Sequence, residues 1–89
     1  QFHLLEESQI MKIQIAGPGC AKCQASEKNV REACAQLGVD AEIEHLRDPR
    51  EFGPLGVMMT PAVLIDGRIA VSGHVPSVEA LKQEIGKAA

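Results

Sequence analysis

Two cysteines separated by two residues, Cys20-Ala21-Lys22-Cys23, stand where a short alternating apolar run gives way to helical spacing. That placement restricts the fold more than any other feature of the chain. Met11, Ile13 and Ile15 alternate with Lys12 and Gln14, which predicts a strand. Gly17-Pro18-Gly19 then breaks the strand and lets the backbone turn tightly before Cys20. If residues 20–23 form the first turn of a helix, the two sulfurs lie on one face, close enough to bond. The amides of that turn lack intrahelical partners and direct partial positive charge at Cys20, and Lys22 adds a full charge nearby. Both favour thiolate over thiol, so Cys20 is expected to ionise more readily than an ordinary cysteine. A thiolate at an exposed helix start, with a second thiol one turn away, is equipped for disulfide exchange. Cys20 attacks and Cys23 resolves the mixed disulfide.

The rest of the chain supplies a scaffold for that turn. From Ala21 to Leu37 the spacing is helical, with Cys23, Val30, Cys34 and Leu37 on one stripe, Ala33 at its edge, and Lys22, Glu27, Lys28, Arg31 and Glu32 outside. Gly38 suits the position just past the helix end. Val39 to Leu46 alternates again and predicts a second strand. Asp48 can cap a helix, with Pro49 at its first position and Glu51 completing a reciprocal cap. Gly53, Pro54 and Gly56 require that helix to be short or distorted. Ala62–Ile65 and Arg68–Val71 read as strands joined by Asp66-Gly67, a strong two-residue hairpin signal. Ser77 caps a last helix with Val78, Leu81 and Ile85 inward. The order is β-α-β-α-β-β-α, an α/β fold with a four-stranded mixed sheet flanked by helices. The first two strands should be parallel and the last two antiparallel.

Residues 1–10 fit no element cleanly and are expected to be a poorly ordered extension, vector-derived or upstream, leaving 11–89 as one domain. With Phe2 and Phe52 as the whole aromatic complement, the core must be aliphatic. Nine basic against twelve acidic residues, with no basic run, argue against a nucleic-acid surface. No apolar stretch approaches the ~20 residues that span a bilayer, so no membrane partner is expected. An odd cysteine count of three argues against a structural disulfide framework. No secretory signal is visible, so a cytoplasmic location is expected, where a disulfide would be transient and catalytic.

Gly17-Pro18-Gly19-Cys20-Ala21-Lys22-Cys23, Thr60-Pro61-Ala62-Val63 and Ser72-Gly73-His74-Val75-Pro76-Ser77, at these intervals, resemble the thioredoxin superfamily. The similarity is to its small single-domain, redox-active disulfide proteins of bacteria and archaea, and it covers Met11 onward. The resemblance implies Cys20 as nucleophile and Cys23 as resolving thiol, forming a redox-active disulfide with no other cofactor. It implies a cis bond before Pro61, a Thr60 backbone turned outward to pair with an extended substrate, and room left for that substrate by Gly73. Lys22 is a candidate for thiolate support. An apolar surface of Ala16, Val57, Met58 and Met59 would suit several partner proteins. Disulfide-containing protein substrates, a thioredoxin-reductase-type electron donor and a monomeric state are the implied context. The chain departs from better-known thioredoxins with Gly19 in place of a Trp, Ala21-Lys22 in place of Gly-Pro, and Gln14 where those proteins bury a carboxylate. His74-Val75-Pro76-Ser77 lacks the acidic pair with which glutaredoxins hold glutathione.

A structural zinc needs four ligands, and no second Cys-x-x-Cys or His pair accompanies Cys20 and Cys23, so no metal site is expected. The rival from another class is a Cu(I) carrier holding the soft metal between the same two thiolates. Such carriers follow a β-α-β-β-α-β order, whereas here a helix start precedes the third strand. Cys34 lies eleven positions beyond Cys23, roughly 16 Å along a helix, which is too far for a disulfide; it reads as a small buried apolar residue. His74 is an exposed histidine near the motif, Met58-Met59 reads as packing and substrate surface, and His3 and His45 receive no functional reading.

Overall fold

The protein was described from a computed structural model covering residues 11–19 and 21–88. The expectations for residues 1–10 and for Cys20 fall outside the described residues. The chain runs β1 (Met11–Ala16), α1 (Ala21–Leu37), β2 (Ala41–Leu46), a 3₁₀ turn (Pro49–Glu51) continuing into α2 (Phe52–Leu55), β3 (Ala62–Ile65), β4 (Arg68–Ser72) and α3 (Val78–Ala88). The sheet order is β2-β1-β3-β4. β1 and β2 are parallel, while β1–β3 and β3–β4 are antiparallel. This is the mixed four-stranded sheet expected from the sequence.

Period-two alternation assigns each strand's side chains to one of two cores. Met11, Ile13 and Ile15 of β1, with Val63 and Ile65 of β3, pack against Val30, Ala33 and Cys34 of α1 and Leu81 and Ile85 of α3. Ala16, Leu46, Val57, Ala62 and Leu64 form a smaller core on the other face, partly covered by Phe52 and Leu55. All four β3 residues are buried, as a central strand between two helical layers requires. Among the described residues, no helix is long and apolar enough to cross a membrane.

Local chemistry accounts for the boundaries. Asp66 and Gly67 both have positive φ, 51° and 85°, the geometry that a two-residue hairpin demands. Asp66 also ties the hairpin to β1: its N–H donates to Lys12 O at 2.8 Å, and its Oδ1 accepts from Lys12 N at 2.9 Å. Ser77 Oγ accepts from Ala80 N at 3.1 Å, capping α3. Asp48 Oδ1 accepts from Arg50 N at 3.0 Å ahead of Pro49.

Three expectations need correction. Leu37 is 39% exposed: it is the last residue of α1, beyond the layer that β1 and α3 cover, and Ser26 takes a buried place on the stripe instead. Buried Ser26 loses no hydrogen bond, since its hydroxyl donates to Lys22 O at 2.9 Å. β2 begins at Ala41 rather than Val39, because Val39 N is spent on Cys34 O (3.0 Å) while Gly38 N donates to Ala35 O (3.3 Å). That pair of bonds is a Schellman closure of α1, with Gly38 at φ 68°. Glu51 contributes its backbone N–H, donated to Asp48 O at 2.9 Å, and its side chain is exposed rather than folded back as a reciprocal cap.

Candidate active site

β1 delivers the chain to Gly17, whose N–H extends the parallel ladder by donating to Leu46 O at 2.9 Å. Gly17 is a glycine for a steric reason: a Cβ there would run into Cys23 Sγ, would lie 3.3 Å from Cys23 Cβ and would stand 3.9 Å from Pro61 Cα. The first two contacts leave no room for a side chain. The resolving-thiol candidate, the turn before α1 and the proline segment therefore meet at one point. The Thr60–Pro61 peptide is cis. Pro61 O accepts from Gly73 N at 2.9 Å, joining the third motif segment to the other two. Asn29 Nδ2 donates to Pro76 O at 2.8 Å, tying the connector before α3 to the flank of α1. Motifs separated by up to fifty residues thus converge at one end of the sheet.

The candidate residues differ in how they stand there. Cys23 is fully buried against Gly17. Lys22 and Thr60 are exposed and Pro61 is buried. Gly73, at φ 85°, faces Met59: a Cβ would be 2.9 Å from Met59 Cε. The contact at Gly73 is thus with a flexible side chain of the protein itself. Met58 and Met59 are 91% and 60% exposed, whereas Ala16 and Val57 belong to the smaller core. The expected apolar rim is therefore formed by the two methionines alone, because the pleat turns Ala16 inward and α2 draws Val57 with it. His74 is exposed.

Charge enters from residues that the sequence reading passed over. The Arg47 guanidinium lies over Gly19, where a Cβ would meet its Nη1. His45 Nε2 lies 3.2 Å from Gly17 O, and its Nδ1 lies 3.3 Å from Glu27 Oε1. Glu27 is half-buried rather than outside the helix face. Arg31 hydrogen-bonds the Glu27 carboxylate and holds it below its ordinary ionisation range; burial opposes this, and the charges of Arg31 and His45 reinforce it. His45 was detectable in principle. It is a titratable residue at an inward position of an alternating strand, following Ala41 and Ile43. Cys34, deep in the large core, has its thiol pushed up by desolvation, against a smaller opposing pull from Arg31. Among the described residues, no cluster of three or more His, Cys, Asp or Glu is placed to hold a metal ion.

A mixed four-stranded sheet with helices on both faces, and two cysteines at its first strand-to-helix turn, define the thioredoxin-like class. A family profile described as "Thioredoxin domain" matches residues 11–86. The chain is 43% identical over 74 residues to a thioredoxin of Methanothermobacter thermautotrophicus, covering 83% of this chain and 96% of that protein. It is 42% identical over 73 residues to a thioredoxin of Methanocaldococcus jannaschii, covering 82% and 84% respectively. The chain belongs to the thioredoxin-domain family, and with it to the thiol–disulfide oxidoreductases.

Proposed function

We propose that the protein reduces disulfides in partner proteins by dithiol exchange, with Cys20 as nucleophile and Cys23 as resolving thiol. The observation that carries this reading is the meeting of Cys23, Gly17 and Pro61 at the start of α1. Cys20 as thiolate attacks one sulfur of a substrate disulfide and expels the other as a thiolate, leaving a mixed disulfide. Cys23 gives up its proton and attacks the Cys20 sulfur, which releases the reduced substrate and closes the Cys20–Cys23 bond. An electron donor of the thioredoxin-reductase type then restores the dithiol. The positive end of α1 and the Lys22 ammonium favour the Cys20 thiolate. Thr60 offers main-chain hydrogen bonds to an extended substrate, and Met58 and Met59 offer a soft apolar contact. Gly73 places its backbone beside that contact. A cytoplasmic location and a monomeric state accompany this reading, and no cofactor beyond the cysteine pair is invoked.

The element order favours this reading over a Cu(I) carrier: a helical segment, Pro49–Leu55, stands between β2 and β3, and α3 follows β4. Reduction of insulin by dithiothreitol tests the proposal. The wild-type protein should accelerate precipitation of the insulin chains, and Cys20→Ser should abolish the acceleration while retaining the wild-type circular dichroism. Turnover unchanged by that substitution would overturn the assignment.

A further inference from the structure

The His45 side chain is only 10% exposed, enclosed between the turn before α1 and the helix itself. Its two ring nitrogens face a carbonyl and a carboxylate, Gly17 O at 3.2 Å and Glu27 Oε1 at 3.3 Å. Both partners are acceptors. A neutral imidazole carries one N–H and satisfies one of them, whereas the imidazolium donates to both. The carboxylate is held ready for that role: Arg31 donates from Nε (3.2 Å) and Nη2 (2.8 Å) to Oε2, leaving Oε1 to His45. Arg31, Glu27 and His45 thus form a chain of contacts whose inner end lies against Gly17.

β1 places the apolar Ile15 opposite His45 in the ladder. Lys12 and Glu44, on the alternate positions of the strands, pair with each other on the opposite face at 3.5 Å. Arg47, two residues further along, reaches over Gly19 and contributes a second cation near the turn. Gly17 is thus held from one side by His45 and carries the Cys23 sulfur on another.

We infer that His45 is a positioning residue for exchange at the cysteine pair: set between the Glu27 carboxylate and Gly17 O, it fixes the Gly17 peptide against which the Cys23 sulfur rests. The inference rests on the reading of Cys20 and Cys23 as the exchanging pair. In the resolving step the Cys23 thiol loses its proton to solvent, its sulfur bonds to that of Cys20, and the substrate sulfur departs with the electron pair of the broken S–S bond. A fixed Gly17 peptide keeps the Cys23 sulfur where this step needs it.

Reaction of the reduced protein with a chromogenic aromatic disulfide separates the two steps. The first release of thionitrobenzoate reports attack by Cys20, and the second reports closure by Cys23. His45→Leu removes both contacts, whereas His45→Gln keeps an N–H for the Gly17 carbonyl. The second release should be about five-fold slower in His45→Leu than in wild type with the first release unchanged, and His45→Gln should restore most of that rate. Glu27→Gln, which weakens the anchor behind the ring and leaves the histidine in place, should slow the second release by about two-fold. A second-release rate equal in wild type and His45→Leu, or both releases slowed by the same factor, would overturn the role of His45. So would a second-release rate in Glu27→Gln equal to wild type, the deciding measurement if His45→Leu does not fold. Absence of any second release in wild type would instead overturn the Cys20–Cys23 pairing itself.

Discussion

The two ends of α1 each bury a cysteine, and the two sites share little else. Cys23, in the first turn, lies against a glycine with a proline segment beside it and a histidine–glutamate–arginine cluster behind. Cys34, three turns later, is packed with Ile, Val, Leu and Ala side chains. Both side chains are shielded from solvent, so burial alone does not tell the two thiols apart. The neighbours do. Cys34 lies among aliphatic side chains that push its thiol up, against a smaller pull from Arg31, while Cys23 stands in a first helical turn against a bare glycine peptide.

The sharpest way to break this contrast is to remove each sulfur in turn. Cys23→Ser should lower turnover in the insulin assay by at least about 100-fold, because the mixed disulfide is no longer resolved internally. Cys34→Ala should leave turnover per folded molecule within about two-fold of wild type while lowering stability by roughly 1 kcal/mol. Equal losses of turnover from the two substitutions would erase the distinction between the ends.

Packing changes sharpen the same comparison. Gly17→Ala pushes a methyl group into the Cys23 sulfur, an overpacking that should cost about 2 kcal/mol and depress turnover beyond the loss of folded protein. Val30→Ala, in the aliphatic half, should also cost about 2 kcal/mol by urea denaturation, with turnover per folded molecule unchanged. If Gly17→Ala were as active as wild type, the close approach of Gly17 to Cys23 would have no bearing on exchange.

Protonation gives the smallest effects, and they run in opposite directions at the two ends. The Glu27 carboxyl is held below its ordinary range, chiefly by the Arg31 hydrogen bond. Its contribution is present above the ordinary glutamate value of about 4.3 and is lost as pH falls through the lower folded value. The stability gap between wild type and Glu27→Gln should therefore close on acidification. The Cys34 thiol is pushed up by desolvation. The unfolded chain releases that proton first, so wild type should lose stability relative to Cys34→Ala as pH rises above about 8.5. Urea midpoints measured across the pH range check both signs.

Local chemistry made much of this architecture legible in the sequence. Helical spacing from Ala21 to Leu37, the Asp66-Gly67 turn and the Ser77 cap depend on neighbours a few residues away, and each forms in the structure where it was expected. What escaped depends on which distant surface an element meets. Leu37 continues the helical stripe but projects past the sheet that would cover it. Ala16 and Val57 are apolar residues next to the motif in sequence, yet the pleat and α2 assign them to the opposite core. The Cys23–Gly17–Pro61 junction could be anticipated from the motif residues and the resemblance that they carry. The His45–Glu27 pair could not be, because it arises only when the parallel register sets His45 beside Ile15, at the level of the following turn. Strand alternation pointed His45 inward; nothing local said what it would meet.

Mass spectrometry of the full chain after mild oxidation, with the remaining thiols alkylated, tests the central claim most directly. The account predicts a mass loss of two hydrogens, a Cys20–Cys23 disulfide within one molecule, and alkylation confined to Cys34 once the protein is unfolded. Persistence of both motif thiols under oxidant, or a disulfide that includes Cys34, would contradict it.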